Sequence, residues 1–270
     1  MKWQQDLAQN LREVEDLLPY ILLNEAEQRQ MRAILAQFPM AVTKYYLSLI
    51  DLDDPDDPIR KMAVPSIAET DLSGSFDTSG EAGNTVVPGL QHKYRETALL
   101  LSTNQCAMYC RHCFRKRLVG SSDEEVAQQF AAMRVYLLAH TEISNVVVSG
   151  GDALLCSNQR LSTILDMLTD IPHVRAIRIA TRIPVVLPGR ITGDDDLLAL
   201  LAGYNAQKQL YLVTQFNHPR ELTPEAVAAI KTIQSIGIPI KNQTVLLRGV
   251  NDHAGTLGEL LNRLVEHGIA

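Results

Sequence analysis

The sequence predicts an α/β fold, a partial (β/α)6-type barrel preceded by an N-terminal helical extension. Three observations carry this expectation. From about residue 98, apolar strand-like runs alternate with helix-patterned segments, and such alternation builds parallel strands joined by right-handed crossovers. The unusual polar residues fall at the ends of those runs, where the βα loops of a barrel meet. Residues 1–40, by contrast, carry helical periodicity. With 270 residues, 46% of them hydrophobic, the chain has enough apolar surface for a sizeable core.

In the N-terminal extension, Leu7, Leu11, Val14, Leu17 and Leu18 are spaced as on one helix face, followed by Met31, Ile34, Leu35 and Phe38 at the same period. Residues 51–89 are rich in Asp, Pro, Gly and Ser and read as a turn-rich connector whose acidic run is solvated. Strands are expected at 98–103, 145–149, 176–181, 210–215 and 240–247, and helices at 123–140, 158–169, 194–201, 223–235 and 254–267. Ser122 offers a cap to the first of these helices, and Thr223-Pro224-Glu225 is an N-cap followed by proline at the first helical position. Gly268-Ile269-Ala270 begins a sixth strand. This divides the chain into helices and connector over 1–90 and a barrel domain over 91–270 that lacks its C-terminal end; truncation is expected because a parallel edge would otherwise be exposed.

A net charge of −6 without a concentrated basic face argues against nucleic acid as the main partner. No apolar run approaches the roughly 20 residues of a membrane span, and the first residues do not form a signal peptide. Cytoplasm is the expected compartment.

Three of the four cysteines, Cys106, Cys110 and Cys113, lie within eight residues. Four thiolates would close an iron–sulfur cluster, whereas three leave one iron open to a ligand. The alternatives are a zinc knot with His112 as fourth ligand and three buried thiols. Arg111, Arg115, Lys116 and Arg117 would favour thiolates or form a solvated basic patch. Cys156 reads as a small apolar filler. Gly150 and Gly151 would let the backbone approach a ligand beside the Asp152 carboxylate, or form a tight turn. Arg182 and the pair Asn242 and Gln243 are costly in a barrel interior without hydrogen bonds, so a polar or anionic ligand is expected near them. His218 before Pro219 shapes a turn.

The spacing Cys106-x3-Cys110-x2-Cys113 resembles the signature of radical S-adenosylmethionine (SAM) enzymes. Taken with Pro88-Gly89-Leu90-Gln91-His92-Lys93-Tyr94, Thr181-Arg182-Ile183-Pro184, Phe216-Asn217-His218-Pro219 and Asn242-Gln243-Thr244, in that order, it resembles the lysine 2,3-aminomutase family over roughly residues 75–255. The resemblance implies a radical SAM barrel and 2,3-migration of an amino group on a lysine-like amino acid, free or protein-bound. It implies a 4Fe–4S cluster on Cys106, Cys110 and Cys113, and SAM contacts from His112, Gly150, Gly151, Asp152, Asn242 and Gln243. Arg115 would meet the substrate carboxylate and Lys93 the phosphate of pyridoxal phosphate (PLP). A flavodoxin or ferredoxin would supply electrons, and a homo-oligomer is compatible with it. Two departures matter. Thr97 stands where the family usually has a second phosphate-binding arginine, with Arg95 two residues earlier, and no lysine here matches the Schiff-base position. A PLP-independent radical SAM enzyme and a non-catalytic metal-binding interaction module are the competing readings.

Overall fold

The computed structural model describes residues 2–71, 73–77, 79–120, 126 and 128–270. Its centre is a seven-stranded sheet whose strands run in sequential order: β1 (Thr85–Val87), β2 (Leu90–Tyr94), β3 (Thr97–Thr103), β4 (Asn145–Gly150), β5 (Ala176–Ala180), β6 (Gln209–Thr214) and β7 (Ile240–Asn242). Strands β3 to β7 are parallel, and β1 and β2 add an antiparallel edge at β3. The order never reverses, so right-handed crossovers place the helices Phe130–Ala139, Asn158–Thr169, Asp195–Asn205 and Pro224–Ser235 on one face.

That face is the core. Ala98, Leu100, Val146, Val148, Ile177, Ile179, Leu210 and Leu212 alternate with partly exposed neighbours and are fully or almost fully buried. Each such Leu, Ile or Val contributes about 1.5–3 kcal/mol through loss of water contact. The N-terminal segment joins the same core through Trp3, Leu11, Leu17, Tyr46, Ile59 and Met62. Among the described residues, no helix is long and apolar enough to cross a membrane.

Several expectations need correction. The N-terminal pattern is not one continuous helix: it breaks into Lys2–Ala8 and Val14–Leu17, with Leu11 bridging Val42 in extended conformation. The connector folds more than its composition suggests, into helix Pro58–Ala63, a 3-10 turn Ile67–Thr70, helix Glu81–Asn84 and β1. Its acidic run is not wholly solvated, since Asp57 is buried, caps Pro58–Ala63 through Arg60 N at 2.8 Å and pairs with Arg220 at 2.5 Å. Strand β7 is shorter than expected because, past the last ladder bond from Gln243 N to Thr214 O (2.9 Å), Val245 N turns to the Asn217 side chain (2.9 Å). The first crossover helix starts at Phe130, and Ser122 lies outside the described residues. The Thr223 cap forms as expected, with its hydroxyl accepting from Ala226 N at 3.1 Å. Ile269 bridges Ile240 in parallel, and Asn242 N donates to Ala270 O at 2.8 Å, so strand pairing continues beyond β7.

What positions the site is a seam between two loops. Gly151 N donates to Thr103 O (2.5 Å) and Asp152 N to Gln105 O (2.8 Å), while Gly120 N closes the cysteine loop on Asn104 O (2.9 Å). Gly150 has φ +121°, and a Cβ there would meet the Thr103 carbonyl; one at Gly151 would meet the Gln105 carbonyl. The glycines are therefore required by backbone packed against backbone. Replacing Gly151→Ala is expected to lower stability by about 1–3 kcal/mol through this overlap. Gly258→Ala, in the helix Ala254–Glu266 with open space around its Cα, is expected to raise it by about 0.5–1 kcal/mol. Urea midpoints of the two variants against the parent check both signs.

Candidate active site

A cavity of about 270 Å³ opens at the carboxyl ends of the parallel strands. It is lined by the cysteine loop, by Ser149 to Asp152 at the end of β4 and just beyond it, by Thr181 and Arg182 after β5, by Thr214 and Gln215 at β6, and by Gln243 and Val245 after β7. The cysteine loop is held from below by the N-terminal segment: Tyr109 N donates to Ala41 O, Arg111 N to Met62 O (both 2.9 Å) and Asn10 Nδ2 to Ala107 O (2.7 Å).

Cys106, Cys110 and Cys113 are all free thiols on the cavity wall. Burial, and then the nearby Asp152 carboxylate, push Cys106 well above the usual thiol range, and burial raises Cys113 to about 11. A metal bound here must displace protons, which is the normal coupling of thiolate ligation to pH. Among the described residues, the one group of three His, Cys, Asp or Glu ligand atoms lying within 4.8 Å of one another is His92, His140 and Glu142; the three sulfurs do not gather that closely. A single zinc with bonds near 2.3 Å requires its sulfurs within about 4 Å of each other. As they stand, the three thiols do not form a ready single-zinc site.

Arg182 supplies the main positive charge. Its Nη1 donates to Cys110 Sγ (2.7 Å), its Nη2 to Glu221 Oε1 (2.6 Å) and its Nε to Gln215 O (3.1 Å). Glu221 is fully buried; its Oε1 also accepts from Tyr46 OH (2.6 Å), and its Oε2 from Asn217 N (2.6 Å) and His218 N (3.0 Å). The sequence reading did not single out Glu221, and its one local signal is its place three residues after His218 in the family-like block.

Asp152 Oδ1 accepts from Thr181 Oγ1 (2.5 Å) and Leu154 N (3.0 Å), and Oδ2 from Arg182 N (2.6 Å). Burial outweighs these donors and lifts its pKa to about 6, so it is mainly ionised at neutral pH. Three of about four lone-pair directions are taken, leaving one for a further donor. His112 is neutral, because burial and then Arg182 push its pKa down to about 3. Its Nδ1 is buried on the cavity wall without a partner among the described residues.

Gln243 lines the cavity, whereas Asn242 does not: its amide clasps Phe216, accepting from N (2.7 Å) and donating to O (3.0 Å). Arg115 lines the cavity but is paired with Glu81 (2.7 Å) and donates to Ser149 Oγ (3.1 Å). The basic residues of the cysteine loop are not a solvated patch. Arg111 and Lys116 pair with Glu69, and Arg115 and Arg117 with Glu81. Lys93 is not brought to the cavity. It sits near the β2–β3 turn, beside the amino end of β3, and donates to Ser79 O at 2.9 Å. Cys156 is buried outside the cavity lining, as expected of a filler.

No family model matches the chain. Full-length comparisons do find relatives. The chain is 41% identical over 97% of its length to a putative L-lysine 2,3-aminomutase of Aquifex aeolicus, covering 71% of that protein. It is 42% identical over 98% of its length to the L-lysine 2,3-aminomutase of Acetoanaerobium sticklandii, covering 63% of it. It is also 36% identical over 93% of its length to the glutamate 2,3-aminomutase of Clostridioides difficile, covering 58% of it. The chain thus spans a little over half to about seven-tenths of these relatives' lengths. Identity extending from the N-terminal helices to the last strand pairing, at this level and with this coverage, places the chain in the lysine 2,3-aminomutase family.

Proposed function

We propose that this chain forms the cluster- and SAM-binding part of a radical SAM 2,3-aminomutase acting on an amino acid of the lysine class. The sequential parallel sheet is read as a partial (β/α)6 barrel with its chemistry at the carboxyl ends of the strands. The observation that carries the proposal is the convergence of three cysteines, a neutral histidine, a glycine-flanked aspartate and a buried arginine on one cavity. The names of the relatives supply the reaction class.

In this reading Cys106, Cys110 and Cys113 hold a 4Fe–4S cluster. When bound, such a cluster supplies the electron for reductive cleavage of SAM into methionine and a hydrogen-abstracting 5′-deoxyadenosyl radical. The chain's own groups bind and orient. The remaining lone pair of Asp152 would accept from an ammonium group, neutral His112 would offer its unpartnered Nδ1 to a polar ring edge, and Gln243 would add an amide from the cavity lining. Arg182, held by Glu221, offsets negative charge at Cys110. A hydrogen bond to a cluster sulfur raises its reduction potential. Arg115 would reach a substrate carboxylate only by loosening its Glu81 pair.

PLP does not fit the described residues. Lys93 lies at the other end of β3, and Lys116, which lines the cavity, is bound to Glu69.

Anaerobic reconstitution followed by a reductant-dependent assay for 5′-deoxyadenosine from SAM tests the proposal. Formation of the nucleoside is expected in the parent protein and its loss in Cys110→Ala, with far-ultraviolet circular dichroism unchanged; cleavage retained by Cys110→Ala would sink the cluster assignment. Glu221→Ala leaves the Arg182 guanidinium buried without its carboxylate and is expected to cost about 3–5 kcal/mol in urea denaturation.

A further inference from the structure

A second cluster of ligating side chains lies away from the cavity. His92 on β2, His140 at the end of the helix Phe130–Ala139 and Glu142 two residues later bring one ligand atom each within 4.8 Å of one another. His140 Nδ1 is 2.8 Å from Glu142 Oε1, and the rings of His92 and His140 meet edge-on at 5.5 Å.

The hydrogen bonds around His92 fix how its ring is used. Its Nε2 is 3.1 Å from the Arg95 carbonyl oxygen, which can only accept, so the proton of the neutral ring is on Nε2 and the lone pair on Nδ1. That lone pair faces the Tyr136 hydroxyl at 2.9 Å, an electrophilic hydrogen standing where a cation would stand. A ring nitrogen anchored to a backbone carbonyl, with the other nitrogen presented, is the arrangement that orients a metal-bound imidazole.

The two halves are also held in register before any ion arrives. The hairpin tip and the loop after the helix are joined at one atom: Glu96 O accepts from Ser144 N (3.1 Å), Asn145 N (3.2 Å) and Asn145 Nδ2 (2.8 Å). Tyr136 stacks on His140 at 4.0 Å between ring centroids, limiting the freedom of that ring. Little ordering remains to oppose binding.

We propose that His92, His140 and Glu142 form a divalent transition-metal site that clips the β2–β3 hairpin to the loop entering β4. Two imidazoles and one carboxylate suit zinc and its neighbours better than magnesium or calcium, which prefer all-oxygen shells. All three residues are partly exposed, so water completes the coordination. The role is structural, because the site lies beside the amino end of β3 and the cavity at the carboxyl end.

Cobalt(II) is the probe. In the Cys106→Ser, Cys110→Ser, Cys113→Ser chain, one equivalent is expected to bind with the weak visible absorption of nitrogen and oxygen ligands and no sulfur-to-cobalt charge transfer. Zinc displaces it, and His92→Ala or His140→Ala weakens binding at least about tenfold. Failure to bind, or equal binding by the histidine variants, overturns the site. The parent chain gives a check that does not depend on the serine background: zinc chloride is expected to raise its thermal midpoint more than that of His140→Ala, and equal rises overturn the proposal.

Discussion

Asp152 ties the ends of three neighbouring strands together, and the cavity depends on that tie. Its amide holds the cysteine loop after β3, it stands two residues past the end of β4, and its carboxylate receives Thr181 and Arg182 after β5. Fixing the Arg182 backbone in turn sets where the guanidinium can reach, and it reaches Cys110. One buried carboxylate thus couples the cysteine loop, the glycine turn and the main cation of the site. Burial disfavours its charge and raises its pKa, but each oxygen is met by a short hydrogen bond, the condition under which a buried charge is tolerated.

The charge around the cysteines follows the same logic. Four basic side chains in one short loop would repel each other, yet two carboxylates from the connector, Glu69 and Glu81, each take two of them. Arg111 is further fixed by the carbonyls of Pro39 (2.9 Å) and Phe38 (3.3 Å). The connector therefore acts as a counter-charge and a floor for the loop. Its displacement would release positive charge directly beside the thiols.

Much of this was legible in the sequence, and the boundary of legibility is physical. Strands β3 to β6 were readable because parallel strands covered by helices are nearly continuous apolar runs, such as Asn145–Gly150 with its three valines. The cavity's main residues were readable because cysteines, glycines and a lone arginine at strand ends are unusual there. Strands β1 and β2 were not: Leu90–Tyr94 is short and mostly polar, and it exists because β3 pairs with it. The end of β7 was misread because Val245 and Leu247 continue an apolar run, while the side chain of Asn217, distant in sequence, accepts from Val245 N and that of Asn251, four residues on, accepts from Leu247 N, drawing the chain away. Glu69 and Glu81 were invisible because their basic partners lie 34 to 47 residues away, beyond any local pattern, and the spacing of Glu221 from His218 gives no hint of its bond to Arg182, 39 residues away.

The two ends of the sheet are built by different means, and this divides their duties. At the carboxyl end the loops meet through buried ion pairs and charge-assisted hydrogen bonds that retain a cavity between them. At the amino end the Glu96 carbonyl gathers three donors, Arg178 reaches the Asn145 side chain, and Tyr136 and two histidines pack at the surface. A rigid amino end holds the strands in register, and register decides which residues stand at the opposite rim, since a one-residue slip would turn each side chain to the other face. An ion bound by His92, His140 and Glu142 would strengthen that constraint where β2 meets the loop entering β4, without adding charge to the cavity. Stability and chemistry can then be altered separately, because the residues responsible for each lie at opposite ends of the same strands.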